Sequence, residues 1–522
     1  MKRTHSLSLM ALVSGLLASL GLSAVGGCGA SPAPTPEYPA LASAAGDAPA
    51  PSEEPAAERQ APPESGPSRD VQFPAVTRAS VAHGLELNTV ESHALPLVYL
   101  RLVIRSGGET DPANRPGIAR LTASMLQEGT RTKTAAQLAE AVDFMGADLS
   151  VSATQENTYL VMRVLVDQLD EAMDLLADVA THPAFRQEEL DKLKRRETDR
   201  LSLMSKRPSY LAQREFYKRL FGDHPYAHVD TTPEVVRSVR RSELARWHRR
   251  HFVPSNAFLV VTGDVTPEQA QTSAARAFAR WSGPRVPAPR YATPPTRDAR
   301  EVVLVDRPGS VQSVIYIGNL GVKRDAEDWI PLAVANQVLG GSAASRLFMD
   351  LRERRSLTYG AYSRVGEAVD VGTFRASASV RTQVTAQAMD AFFEHLNRIV
   401  SEPVPESELH DAERYLSDSF PLSIDTAGKI GQMVADLRVF GLPDDYWHSY
   451  RTRIGEVTPA QALTAARAHI DPEHALVVVV GSATDIAAGL RAWGPVTVVD
   501  ENGEVKSRLE AAPNAATTQA SE

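Results

Sequence analysis

Apolar positions along this chain recur in the same order twice. HFVPSNAFLVVTGDV, beginning at His251, and HIDPEHALVVVVGSA, beginning at His469, share a histidine, a proline, an alanine, an apolar run and a glycine in register. Val239 and Val457 precede them at the same offset. Each segment predicts a helix, a turn at the proline, then a buried strand ended by glycine. Each half also opens with a strand, LPLVYLRLVI at 95–104 and SVQSVIYIG at 310–318, followed by helical patterns at GIARLTASML and DWIPLAVANQVL. Strands and long helices that alternate twice over predict two related halves, at 73–285 and 299–502, with a linker over 286–298 in the proline-rich stretch WSGPRVPAPRYATPPTRD.

The ends of the chain have other patterns. Residues 1–28 read as a lipoprotein signal peptide: Lys2 and Arg3, an apolar run, then VGGC ending at Cys28, the sole cysteine of the protein. The resemblance to a lipobox implies that Cys28 is acylated and anchors the chain to a membrane. Gly29 follows without an aspartate retention signal, so the expected location is the cell envelope, at the periplasmic face of an outer membrane. Residues 29–72, rich in proline and alanine, predict a disordered tether. A disordered tail is expected over 503–522. The formal charge of −9, made more negative by removal of Lys2 and Arg3, argues against nucleic acid as a partner. A lone cysteine permits no internal disulfide.

The chemistry centres on GIARLTASMLQEGT, residues 117–130. This segment resembles the zinc helix of the pitrilysin (insulinase-like) metallopeptidases, roughly G-[LI]-A-H-F-L-E-H-M-L-F-x-G-T. Gly117, Ile118, Ala119, Met125, Leu126, Gly129 and Thr130 agree with it. Arg120 and Ser124 stand at the two zinc-histidine positions and Ala123 at the general-base glutamate. In H-x-x-E-H the histidines share a helix face and bind zinc through neutral imidazoles, with the carboxylate beside the metal-bound water. Arginine has no lone pair to give, serine is a poor ligand at neutral pH, and alanine takes no proton. The family's third ligand, a glutamate before a proline like Pro208, falls on Arg200, with Glu197 and Asp199 close by. Two arginines at ligand sites are expected to repel a divalent cation, so no cofactor is expected in this chain. Other histidine pairs, His224/His228, His248/His251 and His410 with Glu413, read as solvated or capping residues.

GGSAASRLFMDLRERRSLTYGAYS, residues 340–363, is similar to the same family's accessory motif. The resemblance implies that Arg352 and Tyr359 hold substrate and stabilise an oxyanion, roles suited to a permanent cation and a neutral hydroxyl donor. The bland alternative is that Arg352 pairs with a carboxylate such as Glu353 and Tyr359 packs in the core. Gly340 and Gly341 predict a tight turn before a helix starting at Ser345–Arg346. The resemblance spans 73–499 and implies an α+β fold whose two homologous halves, of the type seen in processing peptidase subunits, face each other as a clamshell. It further implies a subunit inactive alone, which supplies Arg352 and Tyr359 to a heterodimeric partner carrying H-x-x-E-H and the zinc, and which takes peptide or unfolded polypeptide. The alternatives are a peptide-binding or structural assembly protein without a role in proteolysis and, less favoured, a metal-independent hydrolase. A neighbouring gene for an exported homologue with intact H-x-x-E-H separates the first reading from the others.

Overall fold

The computed structural model describes Gly66 and residues 71–513. The signal peptide with Cys28 and almost all of the tether lie outside the described residues, as do 514–522. The first half builds a sheet from β1 (Thr77–Ser80), β2 (Glu86–Glu91), β3 (Leu97–Ile104), β4 (Asp148–Ala153), β5 (Thr158–Leu165) and β6 (Ala257–Gly263). Their spatial order is β1-β2-β6-β3-β5-β4, antiparallel throughout except between β2 and β6. The second half builds one from β7 (Glu301–Asp306), β8 (Gln312–Leu320), β9 (Thr358–Gly366), β10 (Thr373–Arg381), β11 (Leu476–Gly481), β12 (Val496–Val499) and β13 (Val505–Leu509), in the order β13-β12-β7-β11-β8-β10-β9. With β2 to β6 matched in turn to β7 to β11, the five-strand order is the same in both sheets. The sequence repeat is therefore a repeat of topology in a mixed α/β fold.

Each sheet is covered on one face by its own half. In the first, α1 (Ile118–Leu126), α2 (Leu169–Thr181), α3 (Gln187–Met204), α4 (Pro208–Phe221), α5 (Arg241–His251) and α6 (Pro267–Ala277) follow in chain order. Of these, α1, α2, α5 and α6 bury Leu121, Leu176, Trp247 and Ala270 against Leu100, Leu102, Ile104, Leu259 and Val261. In the second half come α7 (Trp329–Asn336), α8 (Thr385–Ser401), α9 (Ala427–Val439) and α10 (Pro459–His469). Here α7, α8 and α10 bury Ile330, Phe392 and Ala465 against Leu304, Ile315, Val477 and Val479.

The opposite faces are covered by exchange. Helix α4, from the first half, starts with Pro208 at its first turn, where a missing N–H costs nothing. It buries Leu211, Phe216, Leu220 and Phe221 on Val303, Val305, Val314, Val478 and Val480 of the second sheet. Reciprocally, α9 lays Ile430, Met433 and Val434 on Val90, Val103, Phe258 and Val260 of the first sheet. Polar contacts lock its position. Thr262 Oγ1 donates to the Ala427 carbonyl at 2.8 Å, Arg101 Nη1 to Gln432 Oε1 at 2.6 Å, and buried Arg438 Nε to Asn88 Oδ1 at 2.8 Å. Arg438 also pairs with Glu86 at 3.1 Å and Asp444 at 2.6 Å, which meets the requirement that a buried cation be matched.

The stretch after 503 departs from the expected disordered tail. Val505–Leu509 forms β13, antiparallel to β12. Its residues are mostly exposed, so no apolar pattern marked it. Backbone pairing to an open sheet edge fixes it instead, assisted by Lys506 to Asp306 at 2.6 Å and Arg491 Nε to the Glu510 carbonyl at 2.7 Å. The linker is irregular, yet Arg297 Nη2 donates to the Arg219 carbonyl at 2.6 Å and so ties it to α4.

Phe216→Ala removes a fully buried ring from the exchanged contact and is expected to cost about 3–5 kcal/mol. Because the exchange couples the halves, amide-exchange protection of β6 and β11 is expected to fall together, although Phe216 touches only the second sheet. Loss of protection in β11 with β6 at its wild-type level would show that the halves unfold separately.

Candidate functional site

Helix α1 is positioned by its first turn. Gly117 takes a left-handed conformation (φ 93°) at the N-cap, and a Cβ there would lie 2.6 Å from Thr231 Cβ, so glycine is required on both counts. The Asp111 carboxylate accepts from the Gly117 N–H at 2.6 Å and the Ala119 N–H at 2.8 Å, satisfying donors that a helix start leaves open. Ile118, Ala119, Ala123, Met125 and Leu126 are buried. Thus the positions that agree with the peptidase pattern pack in the core, and Ala123 presents a buried methyl where a base would stand. The Ser124 hydroxyl is turned back onto the Arg120 carbonyl at 3.1 Å.

The two arginines meet as the motif alignment implied, but they are not left to repel. Arg120 Nη1 donates to Glu197 Oε2 at 2.7 Å and Nη2 to Asp230 Oδ1 at 2.8 Å. Arg200 Nε donates to the same Glu197 oxygen at 2.8 Å, and its Nη2 to Asp230 Oδ1 and Oδ2 at 2.9 and 2.7 Å. Two cations and two anions close a ring between α1, α3 and the segment carrying Asp230. Burial is the largest influence on the Glu197 carboxyl and pushes it up, but Arg120 and Arg200 together outweigh it and hold the group below the usual carboxylate range. Burial likewise opposes the Arg200 cation, and Glu197 and Asp230 overcome it and hold its pKa above the usual value.

These residues do not fit zinc. Both carboxylates are engaged by guanidiniums, and among the described residues no group of three or more His, Cys, Asp or Glu side chains is arranged to hold a metal ion. A cavity of about 140 Å³ adjoins Arg120 and Asp230, with His228 on its wall. Of the other paired histidines, His224, His248 and His251 are buried rather than solvated. His248 Nε2 contacts the Ala180 carbonyl at 2.8 Å and His251 Nδ1 the Ser106 hydroxyl at 2.9 Å, and burial pushes both imidazoles down to about 4. His224 stands between the Tyr226 N–H and Asp370, and His410 is exposed on its helix.

The accessory segment keeps its side chains accessible. A Cβ on Gly340 would lie 2.3 Å from the Ser363 backbone nitrogen, so the helix can approach β9 only with glycine there. Ser345 precedes a short helix, Arg346–Phe348, that continues as a π-helical turn, Met349–Arg354. Half-exposed Arg352 lies 4.9 Å above the Phe348 ring and pairs with Glu353 at 3.3 Å. Tyr359, on the edge strand β9, is 90% exposed, so it is not a core residue. Among the described residues no hydrogen bond or ion pair joins either side chain to the Arg120 ring.

Comparison with known proteins places both halves in one family. The family model described as Insulinase (Peptidase family M16) matches residues 88–229, and the Peptidase M16 inactive domain model matches 238–416. This chain is an M16 homologue. An uncharacterized zinc protease of Streptomyces coelicolor is 23% identical over 398 residues, 75% of this chain and 86% of that one. The non-peptidase homologue YmxG of Helicobacter pylori is 24% identical over 388 residues, 73% of this chain and 88% of that one. The crystal structure of a peptidase M16 inactive domain from Pseudomonas fluorescens has a TM-score of 0.74 at 26% identity, over 78% of this chain and 98% of that one. Arg120 and Arg200 fall within the first match, Arg352 and Tyr359 within the second.

The M16 homologue also carries a titratable seam that the sequence did not reveal. The Tyr291 hydroxyl donates to Glu109 at 2.6 Å, and the Tyr226 hydroxyl donates to Glu156, which also accepts from the Val369 N–H at 2.6 Å. His224 Nε2 reaches Asp370 at 3.1 Å. First- and second-half residues thus share one partly buried polar layer. Burial pushes the Glu109 carboxyl up to about 8 and that of Asp111 up to about 7, against the hydrogen bonds that each accepts.

A carboxyl whose folded pKa is raised binds its proton more tightly folded than unfolded. Its contribution is therefore full below the unfolded value and is lost as pH rises to the folded one. The thermal midpoint is expected to fall as pH is raised from about 4.5 to about 8. Glu109→Gln, which stays neutral, is expected to flatten part of that slope and to be more stable than wild type at the alkaline end. Identical slopes for the two proteins would contradict the assignment.

Proposed function

We propose that this M16 homologue is the non-catalytic subunit of a peptidase whose partner chain carries H-x-x-E-H and the zinc. The observation that carries the reading is the contrast between its two motifs: the zinc positions are closed by a charge-balanced ring, while Arg352 and Tyr359 remain accessible beside an edge strand. Nothing at the ring can activate water. In this reading the halves face each other around a cavity that admits peptide or unfolded polypeptide, and Arg352 and Tyr359 complete the partner's site by holding the scissile segment and donating to its developing oxyanion. A second reading, a peptide-binding or assembly protein without proteolysis, is supported by the likeness to the H. pylori non-peptidase homologue.

The full chain alone is expected to cleave no member of a quenched peptide pool, and a mixture with an H-x-x-E-H homologue from the same source is expected to cleave it. Tyr359→Phe or Arg352→Ala is expected to lower turnover of the mixture by about 10²–10³-fold, the usual loss for one oxyanion donor. Mixture activity indifferent to both substitutions would favour the second reading, and turnover by this chain alone would refute both.

The proposed location is the cell envelope, through acylated Cys28 at the periplasmic face of an outer membrane. Cys28→Ser is expected to abolish fatty-acid labelling and release the chain from the membrane fraction. Retention of the label in that variant would end the lipoprotein reading.

A further inference from the structure

On the second sheet two arginines stand opposite each other: Arg364 in β9 and Arg375 in β10 are Cα partners in the antiparallel register. Like charges so placed destabilise a sheet unless something answers them. Among the described residues neither guanidinium has a carboxylate within ion-pair distance. Arg375 is held 4.5 Å above the Tyr316 ring, and its Nε is buried without a hydrogen-bond partner. In a chain where Asp and Glu outnumber Lys and Arg by 64 to 55, two adjacent unanswered cations run against the composition.

The space before them is consistent with that imbalance. A cavity of about 480 Å³ is lined by Arg364, Arg375, Tyr362, Ser377, Asn336 and Gln337 among others, and no Asp or Glu lies on its wall. Exchanged helix α4 packs on β8 and β11, with Phe216 reaching Tyr316, and so leaves this end of β9 and β10 uncovered. The donors present are planar guanidiniums, amides and hydroxyls, which together suit an oxyanion better than a cation or an apolar group.

We infer that Arg364 and Arg375 form a carboxylate-binding site for a peptide ligand, with the two guanidiniums answering the two carboxylate oxygens. This deepens the peptide-binding reading above and rests on it. From Tyr359 to Arg364 is five residues of one strand, roughly 17 Å of extended chain. A peptide lying along β9 at Tyr359 would thus present its carboxylate about five residues further on. The chemistry is common to a chain terminus and to an Asp or Glu side chain.

The test is fluorescence anisotropy of the full chain with three labelled peptides of one extended sequence. The first has a free C-terminal carboxylate and no acidic side chain, the second is its C-terminal amide, and the third is the amide with one glutamate. The free acid is expected to bind the wild type about tenfold or more tightly than the plain amide, as befits hydrogen bonds to a charged group. Arg364→Gln and Arg375→Gln are each expected to remove that preference while amide binding stays unchanged. Arg375→Lys, with its charge kept, is expected to retain part of it. Arg364 is exposed, so Arg364→Gln is the variant expected to keep the wild-type thermal midpoint. If the glutamate peptide recovers tight binding, the site takes side-chain carboxylates as well; if not, it takes the terminus alone, and either supports the inference. Equal binding of acid and amide would overturn the carboxylate site and leave the peptide reading standing. Failure of all three to bind would overturn both.

Discussion

The exchange of α4 and α9 between the halves is the constraint on which the remainder of the molecule depends. Strands β6 and β11 are buried along their whole length, so each sheet needs cover on two faces. Each half's own helices supply one face, and the second is supplied by a helix of the other half. Neither sheet keeps its full core without its counterpart. Polar and charged groups at that contact, Arg438 among Asn88, Glu86 and Asp444, and Arg219 between Glu215 and Glu301, fix its register.

Packing and charge balance are separate in α1, which keeps its helix with Arg120, Ala123 and Ser124 at the positions that the resemblance gives to zinc chemistry. Ile118, Ala119, Met125 and Leu126 hold the helix by packing, while Gly117 and Asp111 fix its start; none of these depends on a metal. Arg120 projects from the partly exposed side, where the only demand is that its charge be balanced. Glu197 and Asp230 meet that demand for Arg120 and Arg200 together. Four half-buried charges with no net sum are far less costly than two facing arginines would be, because each guanidinium replaces water with charge-assisted hydrogen bonds.

Much of this was legible in the sequence because local pattern carried it. The duplicated proline-turn-strand segments became β6 and β11, the GIARLTASML pattern became α1, and the family motifs put Arg120 near Arg200. What could not be read were relations between residues distant in the chain whose types are common. Asp230 sits in an ordinary turn before Pro233, and only the fold brings it to Arg120. Glu109, Glu156 and Asp370 come from three loops with no shared spacing. Strand β13 was missed because edge pairing needs backbone rather than apolar side chains. The continuous apolar runs did show that β6 and β11 are buried, but nothing local in them named the exchanged helix as the cover.

The two halves share a topology and differ in how they treat positive charge. In the first, Arg120 and Arg200 are both neutralised within the chain, by Glu197 and Asp230. In the second, Arg352 shares itself between Glu353 and the Phe348 ring, and Arg364 and Arg375 have no carboxylate partner among the described residues. A net-negative protein has carboxylates to spare, and side chains as long as arginine reach them readily at a surface. Leaving these cations open on one sheet edge is therefore a feature of where the backbone places them, two on facing strands and one on the turn before. A negatively charged chain approaching β9 would meet Arg364 and Arg375 without displacing an ion pair among the described residues, so little has to be undone before it binds.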